Sequence, residues 1–181
     1  MSGEHLTAGF FGKIPAAGDF VARGLSSSFV RFWDPFAAAH LVAVLERKPG
    51  SDHPGALRFM VGPAAHGPMA GVVLTSRDRV GRSFPLTLAA ALDRAVMEIG
   101  VHALPWFEAV EELGRLACHG EFGVEELASR LASVGVPSAP AFGTPMEQMV
   151  MWTDPYELFE IDLEDPRPGL LRALSREHEV G

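Results

Sequence analysis

Three apolar runs, at residues 57–61, 69–75 and 84–92, follow one another with no helix-length segment between them. Each run is short and bounded by glycine, proline or charged residues, which is the pattern of a β-strand. Strands joined by such short connections have to pair largely antiparallel, because a parallel pair needs a crossover of a dozen or more residues. The sequence therefore predicts a sheet whose centre is built from consecutive hairpins.

The segments around this centre predict further strands and helices. Two central stretches, 71–74 and 86–92, are almost continuously apolar, as expected of strands covered on both faces. The remaining apolar patterns predict these elements: strands at 10–14 and 149–153, and helices within 29–45, 103–118, 124–134 and 168–177. Strands and helices do not alternate, which argues against a doubly wound fold. We therefore expect an α/β layered domain, with a mixed, largely antiparallel sheet of about five strands flanked by helices on both faces.

The first helical segment contains a proline. The serines at 26–28 offer a choice of N-caps before it. Because Pro35 has no backbone donor, Asp34-Pro35 is expected to restart the helix as N-cap and first residue, giving two short helices or one kinked helix. The segment 47–55 that follows is expected to be a loop.

The composition bounds the class of protein. The 181 residues fit a single domain, 1–181, whose core is large enough to need no disulfide. The lone cysteine, Cys118, fits a reducing compartment. A net charge of −8 argues against nucleic acid as a partner, because phosphates attract clustered lysine and arginine. No apolar run is long enough for a membrane span and no signal peptide is visible at residues 1–7, so we expect a cytoplasmic protein.

The sequence contains none of the common catalytic motifs. It has no dinucleotide fingerprint, phosphate-binding loop or nucleophile elbow, and its seven histidines include no pair at metal-ligand spacing on a helix. Cys118 and His119 are adjacent, but catalytic pairs are assembled in space and adjacency lends them no support. The acidic run 154–165 has Phe159 where a calcium loop needs a glycine, so a solvated face with apolar anchors explains it better. We therefore expect no catalytic residue, no metal and no cofactor.

Two charged corners at predicted strand ends remain as candidate sites, and each carries three ionisable residues: Lys13, Asp19 and Arg23 in the first, and Asp78, Arg79 and Arg82 in the second. Loops on a rigid scaffold often carry function, although Asp–Arg contacts in turns are more often structural. We expect the corners to be neighbours, with Asp19 accepting a hydrogen bond from Arg79 or Arg82. The alternative is an enzyme in which Lys13, Arg79 and Arg82 bind phosphate or another small anion and Asp19 acts as base.

Both corners lie within longer motifs. The first reads FGKIPAAGDFVARG at residues 11–24, and the second reads SRDRVGRSFPLT at residues 76–87. Together they resemble the two hallmark motifs of the TagF (also ImpM) proteins of type VI secretion systems. The resemblance covers roughly residues 9–92, and beyond it little matches except the predicted strand that carries Trp152.

The resemblance implies a role as well as a family. It implies a cytoplasmic, non-enzymatic accessory protein that restrains assembly or firing of a contractile bacterial secretion machine. It also implies a partner, the forkhead-associated scaffold protein of that system, beside the expectation from charge and apolar pattern of no nucleic acid and no membrane span. Some family members are fused to a serine/threonine phosphatase domain, but this sequence lacks the metal-binding aspartate clusters of a phosphatase, so that activity is not expected here. The charged corners then serve either as fold determinants or as part of the partner surface.

Overall fold

The computed structural model describes residues 7–46, 56–153 and 155–175. The predicted loop 47–55 lies outside the described residues. Residues 1–6, where no signal peptide was visible, also lie outside them, as do the last two residues of the predicted helix 168–177. Asp154, which opens the acidic run, is also outside them.

The described residues form one antiparallel sheet of seven strands, ordered β2-β1-β5-β4-β3-β6-β7. The strands are β1 (Gly9–Gly12), β2 (Val21–Arg23), β3 (Ala56–Val61), β4 (Met69–Arg77), β5 (Ser83–Ala91), β6 (Met149–Trp152) and β7 (Phe159–Ile161). Every pairing between them is antiparallel. The predicted hairpin centre is confirmed, because β3, β4 and β5 pair in chain order.

The sheet has seven strands, whereas about five were predicted. Among the described residues no two strands pair in parallel, so the sheet there is antiparallel rather than mixed. The two strands that the sequence did not reveal, β2 and β7, form the two edges of the sheet. Each has three residues, which is too short for an alternating apolar pattern to distinguish a strand from a loop. In β2, the side chains are exposed or half-buried, so burial leaves little mark on its sequence.

Six α-helices complete the described fold: α1 (Ser27–Phe36), α2 (Val42–Leu45), α3 (Ile99–His102), α4 (Leu104–Cys118), α5 (Val124–Val134) and α6 (Arg167–Leu174). The Oγ of Ser26 accepts a hydrogen bond from the N–H of Phe29 at 3.2 Å, which confirms an N-cap in the predicted serine run. No helix in these ranges is both long enough and apolar enough to cross a membrane.

The proline in the first helical segment does not restart the helix. Pro35 lies inside α1, and the chain continues through one π-helical stretch, Ala37–Leu41, into α2. The helix stays unbroken here although Pro35 lacks a backbone donor, since the N–H of Ala37 still bonds to the carbonyl oxygens of Trp33 and Asp34. The prediction of an N-cap at Asp34 was therefore wrong.

Helices cover both faces of the sheet, as predicted. One apolar cluster includes residues of α1, α2 and α6, and a second, on the other face, includes residues of α3, α4 and α5. On the first face, Trp33 stacks on Phe59 of β3 with ring centroids 4.1 Å apart. The indole Nε1–H of Trp33 donates to Oγ1 of Thr87 on β5 at 2.6 Å, so a buried hydrogen bond fixes α1 to the middle of the sheet.

The end of β1 places the candidate site. The pairing of β1 with β5 ends at Phe11 and Thr87. Gly12 then has a φ of +143°, and a Cβ at this position would lie 2.4 Å from the carbonyl oxygen of Pro85. Only glycine fits this close approach and this conformation. The chain therefore leaves the sheet at Gly12 and brings Lys13 beside the loop end of the β4–β5 hairpin.

Candidate functional site

Two loops meet at this end of the sheet. The first motif loop, residues 13–20, joins β1 to β2, and the second motif loop, residues 78–82, joins β4 to β5. The Nζ of Lys13 lies 3.9 Å from Oδ2 of Asp78. The Nε–H of Arg79 donates to the carbonyl oxygen of Pro15 at 3.4 Å. The structure thus confirms that the two charged corners are neighbours.

Asp78 organises the second motif loop. Its Oδ1 accepts the backbone N–H groups of Val80 and Arg82, both at 3.0 Å, and its Oδ2 accepts from Nε of Arg82 at 2.8 Å. The side chain is only 8% exposed. Burial alone would raise the pKa of the Asp78 carboxyl, but hydrogen bonds from Arg82 and Val80 outweigh it and hold that pKa below its ordinary value. Asp78 is therefore a charged carboxylate with its acceptor sites engaged.

Lys13 is enclosed rather than free. Its side chain is 9% exposed. Its Nζ lies 4.0 Å from the ring centroid of Phe84 and 4.9 Å from that of Phe20. The two rings meet edge to face at 5.4 Å, so the ammonium group is held between two aromatic faces and the Asp78 carboxylate.

Asp19 and Arg23 do not join this contact. The Oδ1 of Asp19 accepts the backbone N–H of the next residue, Phe20, at 2.7 Å. No ion pair within the described ranges links Asp19 to an arginine, so the expected bond to Arg79 or Arg82 was wrong. Arg82 forms its ion pair with Asp78 instead, because the two residues lie only four positions apart in the same tight loop.

Arg23 lies on the other side of β1. Its Nε and Nη2 donate to Oε1 of Glu125 on α5 at 3.3 and 3.2 Å. Both side chains are substantially exposed. This pair fastens the edge strand β2 to a helix, and exposed pairs of this kind contribute little stability.

The described geometry does not favour the anion pocket. Lys13 and Arg82 share one carboxylate, so two of the three cations assigned to an anion are already paired with Asp78. A surface groove of about 380 Å³ lies elsewhere, at the start of α4 and the end of α5, and its lining includes Trp106 and Pro137 but no residue of either motif loop. The motif loops are thus built to fix each other.

The site also contains apolar residues that were not expected from the sequence. Phe20 and Val80 are 46% and 75% exposed, one on each motif loop. Phe84 supplies the ring on which Lys13 lies. Their signal was present in the sequence, since all three lie inside one of the two motifs and Phe20 and Val80 each stand next to a charged residue.

A buried ion-pair network on the α4 face was also overlooked. Nε and Nη2 of Arg58, on β3, donate to Oε2 of Glu111 at 3.2 and 3.1 Å, and Nη2 of Arg115 donates to Oε1 of the same carboxylate. The Glu111 side chain is 11% exposed. The network fastens α4 to the sheet and leaves Glu111 no free oxygen for chemistry.

The other candidates considered in the sequence show no reactive arrangement. Burial raises the pKa of the Cys118 thiol to about 11. Three or more histidine, cysteine, aspartate or glutamate side chains do not gather into a metal-binding group anywhere in the described ranges. In the acidic run, the backbone of Phe159–Ile161 forms β7, with Ile161 buried and Glu160 exposed.

Comparison with known proteins agrees with the two-loop motif. Residues 9–134 match the sequence model of the TagF N-terminal domain, described as type VI secretion system-associated. The match extends beyond residue 92, past the motifs and through α5. No curated protein matches the chain.

A solved structure with the same fold is also similar in sequence. It is the crystal structure of PA0076 from Pseudomonas aeruginosa PAO1, which is 30% identical to this chain with a TM-score of 0.60. The alignment covers 85% of this chain and 70% of PA0076. Because the family match spans most of the chain, the chain belongs to the TagF family of type VI secretion system-associated proteins.

Proposed function

We propose that this protein is a non-enzymatic regulator of a type VI secretion system that acts in the cytoplasm by binding another protein. Its binding surface is formed by the two motif loops. The surface comprises Phe20 and Val80 with the outward-facing guanidinium groups of Arg79 and Arg82, and we call it the motif-loop surface.

One observation carries this proposal: Lys13 and Arg82 are paired with Asp78, while apolar side chains of the same two loops are exposed. Lys13 and Asp78 are both less than a tenth exposed and are paired. Val80, at the tip of the second motif loop, is 75% exposed although it is apolar. A catalytic site needs available acids, bases or ligands, whereas a protein-binding surface needs a rigid frame with exposed apolar and arginine groups.

Contacts within and between the two motif loops hold the frame of this surface in one conformation. Arg79 ties the second motif loop to Pro15 of the first, and Asp78 closes its own loop through Arg82. A loop held in one conformation loses little entropy on binding, so its exposed groups are well placed to bind a partner.

The partner we propose is the forkhead-associated scaffold protein of the secretion system, and the proposed effect is to restrain assembly or firing of the machine. Membership of the TagF family supports this choice of system. Sequestering a scaffold component requires no catalysis, which agrees with the paired state of the charged groups.

The test is a pull-down and a secretion assay in the native bacterium. The doubly substituted Arg79→Glu/Val80→Asp protein reverses one charge and places another where Val80 is exposed, without touching Lys13 or Asp78. We expect it to lose the scaffold protein and to fail to restrain secretion in a strain that lacks the native gene. Phe142→Asp is the matched control, because Phe142 is 90% exposed on a loop outside the motif loops.

The control protein should retain the scaffold and restrain secretion like the wild type. If the doubly substituted protein is as stable as the wild type and also retains both properties, the motif-loop surface does not bind the partner.

A further inference from the structure

The tip of the β4–β5 hairpin carries a concentration of positive charge on an acidic protein. The chain has a net charge of −8. Yet Arg77, Arg79 and Arg82 all expose their side chains within this tip, whereas its one carboxylate, Asp78, is 8% exposed and already paired. The ionisable groups that the tip presents to a partner are therefore all guanidinium groups.

These guanidinium groups are partly fixed in position. Arg77 donates through Nη1 to the carbonyl oxygen of Gly81, Arg79 donates through Nε to Pro15, and Arg82 uses Nε and Nη2 on Asp78. Each arginine keeps further N–H groups that take part in none of these contacts. An arginine held at one side loses less freedom when its outer donors bind a carboxylate.

Apolar groups lie among these charges. Val80 stands between Arg79 and Arg82 in the chain and is 75% exposed. Phe20, from the first motif loop, is 46% exposed and contacts Phe84 at the start of β5. The surface thus combines two exposed apolar side chains with three exposed guanidinium groups, and aromatic and arginine side chains are enriched at protein interfaces.

We infer that the motif-loop surface, extended by Arg77, binds an acidic segment of its protein partner, with carboxylates on the arginines and an apolar side chain on Val80 and Phe20. This inference rests on the proposed function and names the chemistry of the partner. An acidic protein segment is favoured over nucleic acid, because it can place an apolar side chain on Val80 and Phe20 while its carboxylates bind the arginines.

The test is a titration of the full chain with a fluorescein-labelled peptide, Asp-Glu-Leu-Glu-Phe-Asp-Glu, followed by anisotropy. The matched control peptide has the amide sequence Asn-Gln-Leu-Gln-Phe-Asn-Gln. We expect the acidic peptide to bind and the amide peptide to bind about tenfold or more weakly, as one lost charge-assisted hydrogen bond already gives that factor. In amide NMR spectra, the acidic peptide should shift resonances of residues 77–83 and 18–21.

The Arg77→Ala/Arg79→Ala protein should weaken binding of the acidic peptide by about tenfold or more, since two arginine donors are removed. Arg130→Ala is the matched control, because Arg130 is a half-exposed arginine on α5 outside the site. It should bind like the wild type. Equal binding of the two peptides, or unchanged binding after loss of both arginines, would overturn the inference. So would tighter binding of a single-stranded DNA oligonucleotide of equal charge, which would assign the surface to nucleic acid.

The two proposals fail in different ways. If the Arg79→Glu/Val80→Asp protein loses the scaffold but the acidic peptide does not bind the wild type, the proposed function stands and the acidic-segment inference is wrong. If the acidic peptide binds the wild type at the hairpin but the Arg79→Glu/Val80→Asp protein still retains the scaffold, the surface recognises acidic segments and the proposed partner is wrong.

Discussion

The ammonium group of Lys13 lies 3.9 Å from Oδ2 of Asp78, and this ion pair joins the two motif loops across the end of the sheet. The same ammonium group lies against the rings of Phe20 and Phe84. A lysine buried to this degree has to be paired, because an unpaired charge in such a place is strongly disfavoured. The two motifs of this family member are therefore parts of one structural unit.

Replacing Lys13 should destabilise the protein. Lys13→Met keeps much of the apolar stem but removes the charge that contacts two rings and Asp78, and we expect a loss of about 2 kcal/mol in the free energy of unfolding. Urea unfolding followed by circular dichroism measures it. Arg130→Met, at an exposed ion pair, should change stability by less than about 1 kcal/mol. Equal effects of the two substitutions would contradict the enclosed position of Lys13.

Asp78 should make stability depend on pH in the acid range. Its pKa is lowered in the folded protein, so its contribution is fully present above the pKa of the unfolded chain, near 4. That contribution is lost as the pH falls from this value through the lower pKa of the folded state. Asp78→Asn should therefore reduce the stability at pH 7 and flatten the decline below about pH 4.

A second carboxyl provides the comparison for this pH dependence. The pKa of Glu98 is also lowered, by hydrogen bonds from the backbone and side chain of Thr144. Glu98→Gln should flatten the acid decline without loosening the motif loops. If neither substitution changes the slope of stability against pH, the lowered pKa values do not describe the protein in solution.

The hydrogen bond between Trp33 and Thr87 should be measurable by a double-mutant cycle. Thr87→Val leaves a buried indole N–H without its acceptor, which should cost about 1–3 kcal/mol. Trp33→Phe removes the donor along with part of the ring. Combining the two changes should destabilise the protein by less than the sum of the single effects. Strict additivity would show that this bond contributes no coupling energy.

Cys118 should react slowly with alkylating reagents. The pKa of its thiol rises from an ordinary value near 9.0 to about 11, so the reactive thiolate at pH 8 is about a hundredfold scarcer than in an ordinary cysteine. Iodoacetamide labelling followed by mass spectrometry should be much slower in the native protein than in urea. Equal rates in both states would contradict the burial of this thiol.

The centre of the fold was predictable because its signals are local. The long apolar runs of β4 and β5 are covered on both faces, and such strands are recognised without knowing their neighbours. The edge strands β2 and β7 could not be recognised, because three residues at an edge carry neither length nor alternating burial. The passage of the helix through Pro35 could not be predicted, because proline in a helix interior ordinarily ends or kinks the helix.

The candidate site divides in the same way. The pairing of Asp78 with Arg82 is a contact within one short loop, which the turn chemistry of aspartate makes accessible to sequence reasoning. The enclosure of Lys13 by Phe20 and Phe84 depends on how β1 leaves the sheet at Gly12, and it could not be found by spacing. Asp19 stands at a turn, where its Oδ1 accepts the backbone N–H of Phe20 rather than a guanidinium group, and spacing alone does not separate these two partners.

The most direct measurement is a calorimetric titration of the purified forkhead-associated scaffold protein into the purified full chain. The wild type and Phe142→Asp should bind with the same affinity, and Val80→Asp should bind at least about tenfold more weakly, since it places an unpaired charge at the centre of the proposed interface. Unchanged thermal unfolding of Val80→Asp would assign the loss to the surface. Equal binding by all three proteins, or no binding by the wild type, would contradict the proposal that the motif-loop surface binds this partner.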